Sequence, residues 1–342
     1  MREDLFRVHS VAPDAKILND LPGADATRVQ RIIEDDIATV GREWLARIVR
    51  VRDSRTDVTV DVTKECSQSV GAGGARYPRT ALARSADCQD RRFERPAMPD
   101  LVWNRKVWDG DYDWSAAGEE WSAVWGGSHA QWYGSILPRV SRFLPARHIL
   151  EIAPGYGRWT RFLLRSCEQY TGVDLSLECI EYCRSRFGAV WPTSRFIKND
   201  GSSLAEVEAA SVDFVFSFDS LVHVEIDVLS AYLRQVVQKL TPQGVAFLHH
   251  SNWVGSGSVG PNVHHRAESV SAALAREVIE TSGGRVLVQE EVNWGGSACQ
   301  DCLTLLSRQD AYPDRAPVFR RNPDFMREAE LIRLNQSPYS TG

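Results

Sequence analysis

The chain has 342 residues, of which 43% are hydrophobic, with 45 acidic and 40 basic side chains and a net charge of −5. This balance gives no global attraction to nucleic acid or to an anionic membrane, and no apolar run reaches the roughly 18 residues of a membrane span. Seven cysteines in a chain of this length do not form a disulfide framework, and MREDLFRVHS lacks the apolar core of a secretory signal. A cytoplasmic protein with reduced thiols is therefore expected.

The first hundred residues differ from the rest. Only Trp44 of the eleven tryptophans lies there. Between residues 28 and 49, Val29, Ile32, Ile33, Ile37, Val40, Trp44, Leu45 and Ile48 recur at helical spacing. DVTVDVT then alternates like a short strand. Residues 67–100 are rich in Gly, Ser, Arg and Pro without periodicity and read as a linker or disorder. Residues 1–100 are thus an N-terminal extension, too poor in large apolar residues for a well-packed separate domain. Residues 101–145 hold six tryptophans, Trp103 to Trp132, and the stretch from Glu119 to Leu144 reads as one or two covering helices. Gly126 and Gly127 interrupt it.

From residue 146 to 308 strands and helices alternate. HILEIA, QYTGVDL, SRFIKND, VDFVFSFDS and GVAFLHHS read as strands. The segments starting at Gly157, Leu177, Asp227 and Ser269 read as helices. RVLVQEEVNW and CQDCLTLLSR follow one another with no helix between them. The expected fold is α/β, with a mostly parallel sheet and a terminal antiparallel hairpin. Residues 309–342 read as a polar, loosely held tail.

The strand-to-helix turn Ala153-Pro154-Gly155-Tyr156-Gly157-Arg158 brings two glycines to a place where ligands approach backbone. A dinucleotide loop would carry glycine at position 153 and a third glycine in the helix, and no phosphate-loop Lys-Ser/Thr follows. The turn resembles the first motif of class I S-adenosylmethionine-dependent methyltransferases. Asp174 ends the second strand nineteen residues after Gly155, where a carboxylate can accept from both ribose hydroxyls. NDG ends the third strand, FVFSFDSLVHV resembles the family's fourth motif, and LTPQGVAFLHHS resembles its turn before the fifth strand. The resemblance covers roughly residues 120–308. It implies a Rossmann-like class I methyltransferase fold with a seven-stranded sheet, a helical N-terminal lid and S-adenosyl-L-methionine as cofactor. Of the site residues it implies, Glu151, Ala153, Gly155, Gly157, Asp174, Leu175, Asp200, Gly201, Ser217 and Phe218 contact the cofactor. Beside the Gly126-Gly127 break, Ser128 and Gln131 are candidate polar contacts to it and Trp125 a candidate stacking contact. Ala153 is tolerated there if its φ is negative. Glu151 either reaches the cofactor's ammonium or is a buried carboxylate capping the following helix.

Methyl transfer to a hydroxyl needs a base, whereas an amine or a stabilised carbanion attacks with little help. His223, His249, His250, His264 and His265 fall at strand ends or nearby loops. His223 is the first candidate base, with His250 or His249 next and Asp219 beside them. Neighbouring strand residues point to opposite faces, so only one of His249 and His250 should face the cleft. Asp219, Glu225 and Asp227 could, with a histidine, hold Mg²⁺, and helix capping explains Glu225 and Asp227 equally well. No metal ligand is assigned. Cys299 and Cys302 lack a second pair for a zinc site and read as strand residues. Trp121, Trp125, Trp132 and Tyr133 form either a stacking lid or the apolar side of a covering helix.

The leading expectation is O-methylation of a sugar, polysaccharide or secondary-metabolite hydroxyl. The alternatives are N- or C-methylation of a small metabolite and a non-catalytic cofactor-binding protein. The expected partner is a small-molecule or carbohydrate acceptor, without nucleic acid or membrane, and the family's lid helices often pair subunits into a homodimer.

Overall fold

The computed structural model describes residues 50–52, 57–59, 100–259, 262–296 and 298–336. The helix expected over 28–49 and the linker expected over 67–99 lie outside the described residues. The chain divides into two compact units. In one, Leu21–Arg95 with Gln336–Gly342, the strands Arg50–Arg52 and Asp57–Thr59 pair antiparallel. The other, Met1–Asp20 with Pro96–Asn335, carries the main sheet.

Eight strands build that sheet: β1 (Ala146–Ile152), β2 (Cys167–Asp174), β3 (Ser194–Lys198), β4 (Val212–Leu221), β5 (Leu240–Ser251), β6 (Gly284–Val292), β7 (Asp301–Arg308) and β8 (Val318–Asn322). Their spatial order is β8-β6-β7-β5-β4-β1-β2-β3. β7 runs antiparallel to both β5 and β6, and every other pairing is parallel. Chain order reverses beside β1, where β4 rather than β2 flanks its other edge. Open α/β sheets bind ligands at the carboxyl ends of strands at such a switch point.

The strand pattern follows from burial on both faces. Along β4, Phe214 and Phe216 join one apolar cluster while Val215 joins the other. The first cluster continues through Trp132, Phe162 and Phe247. The second includes Leu229, Leu233 and Val236, the inward stripe of the helix Ile226–Lys239. The longer helices are α1 (Leu101–Lys106), α2 (Leu177–Phe187), α3 (Ile226–Lys239), α4 (Ala272–Thr281) and α5 (Phe325–Leu334). Asp100, Ser176 and Ser271 cap α1, α2 and α4 through their side-chain oxygens.

Three expectations are corrected here. The sheet has eight strands rather than seven. The eighth comes from the segment read as a loose tail, which continues into α5. Phe325 holds that segment in place: its ring is sealed against Trp125 and Trp294, and Arg139 lies over it while bridging Glu290 and Glu328 at 2.9 Å each. Finally, 119–144 does not form one or two regular helices. Residues Glu119–Trp125 wind as a 3₁₀ helix, and the break comes at Gly126 and Gly127, with φ of 88° and 109°. Several short helical turns then run on to Phe143.

Candidate functional site

A cavity opens at the carboxyl ends of β1, β2 and β4. The glycine turn forms one wall. Gly155 adopts φ 56°, and an added Cβ would stand 3.0 Å from the Trp114 ring. Gly157, at φ 79°, does not line the cavity. Its missing Cβ leaves room for the Phe187 ring of α2. Ala153 does line it, but with φ +57° rather than the negative value expected. A non-glycine residue held in the left-handed region marks a place where surrounding structure overrides local preference.

Asp174 forms the next wall. One carboxylate oxygen accepts the Gly155 N–H at 3.0 Å and the other the Ser176 N–H at 2.9 Å. Burial nevertheless pushes its pKa up to about 6. Each oxygen keeps a lone pair for a ligand hydroxyl. Leu175, Gly201 and Tyr232 continue this side. Asp200 turns away: its carboxylate accepts from the amides of Ser202 and Ser203 and so closes its own loop. Among the expected contacts it is the glycine beside it that faces the cavity.

At the far side, Phe218, Asp219 and His223 line the cavity after a break in the β4 register between Ser217 and Leu221. Asp219 also adopts a positive φ, 63°. Its carboxylate pairs with Arg158 at 2.9 Å, both side chains almost wholly enclosed. The His223 Nδ1 lies 2.9 Å from the His265 carbonyl, which can only accept, so Nδ1 carries the proton and Nε2 is the free acceptor. Burial, and then the Arg266 guanidinium, push this ring down to about 4, so it is neutral near pH 7.

The lid closes the top. Asn104, Trp108, Trp114 and Trp121 line the cavity from above. Three lid contacts fix α1 and its extension over the loops after β2 and β3. Arg105 donates to the Asp200 carbonyl at 2.6 Å, Asp109 accepts the Leu177 N–H at 2.9 Å, and Leu101 packs on Gly201. Trp114 stacks on Tyr156 of the glycine turn, rings 4.8 Å apart.

Residues 149–244 match the family model described as a methyltransferase domain. That match assigns a methyltransferase domain to this part of the chain. Solved structures are similar to part of the chain. A S-adenosylmethionine-dependent methyltransferase of Mesorhizobium loti is 17% identical, covers 52% of this chain and 97% of its own, and has a TM-score of 0.40. One from Clostridium acetobutylicum is 15% identical over 59% and 95%, at 0.42. The CcbJ methyltransferase of Streptomyces caelestis is 13% identical over 53% and 95%, at 0.43. A comparison with curated proteins finds no match.

The chemistry of this methyltransferase's cavity suits S-adenosylmethionine. Asp174 offers acceptor oxygens for ribose hydroxyls, and Gly155 lets backbone approach. Trp159 lines the cavity and is nearly enclosed, yet its indole N–H has no hydrogen-bond partner. Gln131 is fully enclosed with both amide atoms unpartnered, although it is not a lining residue. Buried polar groups are rarely left so unless a ligand or water completes them.

Other expected residues are placed elsewhere. Glu151 accepts from Thr160 at 2.7 Å and from Tyr170 at 2.5 Å, inside the core rather than in the cavity lining. Burial raises its carboxyl to about 7. Its contact with the following helix is to the Thr160 hydroxyl, and no Glu151 side-chain bond reaches a helix N–H among the described residues. Ser217 donates to the Ile152 carbonyl and ties β4 to β1. Trp125 is sealed in the core beside Trp294 and Phe325, away from the cavity lining. Neither His249 nor His250 lines the cavity. His250 sits between Thr304 and the Ser251 carbonyl. His249 is bound through both ring nitrogens, to the Asp219 N–H and to Asp301.

Of the carboxylates considered for Mg²⁺, Asp219 is paired with Arg158, and Glu225 accepts the amides of Glu268 and Ser269. Asp227 starts α3 on the exposed side. Among the described residues no group of three or more His, Cys, Asp or Glu is arranged to hold a metal. Cys299 and Cys302 are buried at the entry to β7. Sequence reasoning missed Arg158, Trp108, Trp114 and Tyr156 as site residues. Arg158 and Tyr156 stand inside the quoted loop, where their charge and ring were the available signal.

Proposed function

We propose that this methyltransferase acts on a hydroxyl of a small acceptor of the sugar or secondary-metabolite class, with His223 as general base. The observation that carries the reading is the fixed tautomer of His223, whose free Nε2 belongs to a cavity-lining ring. The Trp108 ring lies 5.3 Å away and the Trp103 ring 6.5 Å away, aromatic faces of the kind on which sugars stack. S-adenosylmethionine supplies an electrophilic methyl group when bound. The chain's own work is to hold the ribose through Asp174 and the adenine side through Leu175 and Gly201. The lid tryptophans exclude water, and Nε2 accepts the acceptor's proton. A neutral imidazole with a pKa near 4 is a weak base. It suffices because a hydroxyl oxygen becomes strongly acidic once it bonds to the methyl carbon.

The test has two parts. Saturating S-adenosylmethionine, at a hundred times its dissociation constant, adds about 2.7 kcal/mol to stability. Asp174→Ala abolishes that shift. Against a panel of sugars and hydroxylated metabolites, His223→Ala lowers the turnover of the accepted substrate by about 10²–10⁴-fold while the thermal shift persists. Because His223 acts in its neutral form, wild-type turnover shows no loss from its titration until the pH falls towards about 4. Turnover of an amine acceptor that survives His223→Ala within a few-fold would favour N-methylation instead.

A further inference from the structure

We propose that His249 is a positioning residue, which holds the Asp219 backbone in the left-handed region and so keeps the Asp219 carboxylate in the cavity wall against Arg158. The inference rests on the methyltransferase reading of this cavity and extends it to a residue outside the lining. It starts from Asp219, whose φ of 63° is costly for a side chain with a Cβ. The Asp219 N–H points at the His249 Nδ1, 3.1 Å away. A backbone N–H only donates, so that nitrogen bears a lone pair and the proton sits on Nε2. The Nε2–H in turn reaches Asp301 at 3.1 Å.

Asp301 is clamped from its other side by Arg266, with two bonds of 2.9 Å. Burial would raise the Asp301 carboxyl, but the Arg266 charge and the His249 hydrogen bond hold it at about 2. It therefore stays an acceptor and keeps His249 in the tautomer that Asp219 requires. His249 and Asp301 are wholly enclosed, and Arg266 nearly so. Their orientation reaches the cavity through Asp219, which does line it.

The next residue tightens the same wall. Ser220 donates its hydroxyl to the Ala153 carbonyl at 3.1 Å. Ala153 and Asp219, two strained non-glycine residues lining the cavity, are thereby tied across β1 and β4. Arg158 lies over the rings of Trp121 and Trp159, 5.1 and 4.6 Å from their centroids. The Arg158–Asp219 pair thus presents a fixed donor set and a fixed acceptor set to a zwitterionic, cationic cofactor.

The decisive experiment uses the full chain and two readouts. Ring ¹⁵N chemical shifts of labelled wild-type protein report the His249 tautomer, and the expected result is protonation at Nε2 alone. Calorimetric titration with S-adenosylmethionine, without acceptor, compares wild type, His249→Leu, Asp219→Asn and the double variant. Each single change is expected to weaken binding at least tenfold, and the double variant is expected to bind no more weakly than the weaker single variant. A proton on Nδ1 overturns the proposal. So does a folded His249→Leu protein with wild-type affinity, or losses that multiply in the double variant. If His249→Leu fails to fold, the wild-type tautomer decides the matter. If the wild type itself does not bind S-adenosylmethionine, the methyltransferase reading fails, and the tautomer still reports on the His249 arrangement.

Discussion

Glu151 and Asp174 sit on neighbouring strands, and burial lifts both carboxyls, to about 7 and about 6. They differ in what they can still do. Asp174 faces the cavity with a lone pair to spare on each oxygen, whereas Glu151 is closed in by Thr160 and Tyr170. A raised carboxyl has a definite sign in stability. Between the unfolded value of 4.5 and the native value of about 7, native Glu151 keeps a proton that the unfolded chain has released. Stability therefore falls as pH rises through that window. Glu151→Gln removes the titration and keeps an acceptor oxygen for Thr160 and Tyr170. The variant is expected to melt higher than wild type at pH 8 and at the same temperature at pH 5, as scanning calorimetry at the two pH values would show. An equal melting temperature at pH 8 would mean that Glu151 is not the source of the penalty.

At the scale of elements, the glycine turn is set by what packs behind it as much as by what binds in front. Gly157 opens towards α2, where Phe187 fills the place of a Cβ, while Gly283, with the same φ of 79°, has nothing within 4 Å. Gly283→Ala should cost about 1–2 kcal/mol, the penalty of the left-handed conformation alone. Gly157→Ala should add about 1–3 kcal/mol for overpacking against Phe187. Urea midpoints of the two variants separate these contributions. Equal midpoints would show that α2 yields to the new methyl group. The lid follows the same logic. Its earlier turns are anchored by particular side chains, among them Arg105, Asp109 and Trp114, whereas Trp132, Ile136 and Val140 carry an apolar stripe of the later turns into the core.

For the molecule as a whole, the unit that carries the sheet spans Pro96–Asn335 apart from a short N-terminal piece. It contains every lining residue of the cavity. It also contains β8 and α5, with Phe325 at zero exposure and Arg139 tied to Glu290 and Glu328. A chain of residues 96–335 is expected to unfold in one cooperative transition and to show the same S-adenosylmethionine shift as the full chain. Ending that chain at residue 308 instead removes Phe325 from the core, a loss of about 3–5 kcal/mol for that side chain alone. Circular dichroism melts of the two truncations, with and without S-adenosylmethionine, test this. A full-strength shift in the 96–308 protein would show that β8 and α5 are dispensable.

Element types, their order and the terminal antiparallel pair were legible in the sequence. They are written in short-range periodicity, which residues on the same strand or helix turn decide together. That Gly155, Asp174 and His223 would line one cavity was legible for a related reason: each stands at or just after the end of a strand, and strand ends in this topology meet at one edge. What the tertiary structure alone decided is which side chains that edge exposes. Glu151 turned inwards because Thr160 and Tyr170 meet it there, and Asp200 turned to its own loop. The polar tail became a strand and a helix because one residue, Phe325, found a closed aromatic site among Trp125 and Trp294. The Asp301–His249–Asp219 chain joins the start of β7, the end of β5 and the end of β4, positions that only the packed sheet makes neighbours. Hydrogen-bond direction and backbone strain at such a junction are set by three strands at once, and no local pattern in any one of them encodes the result.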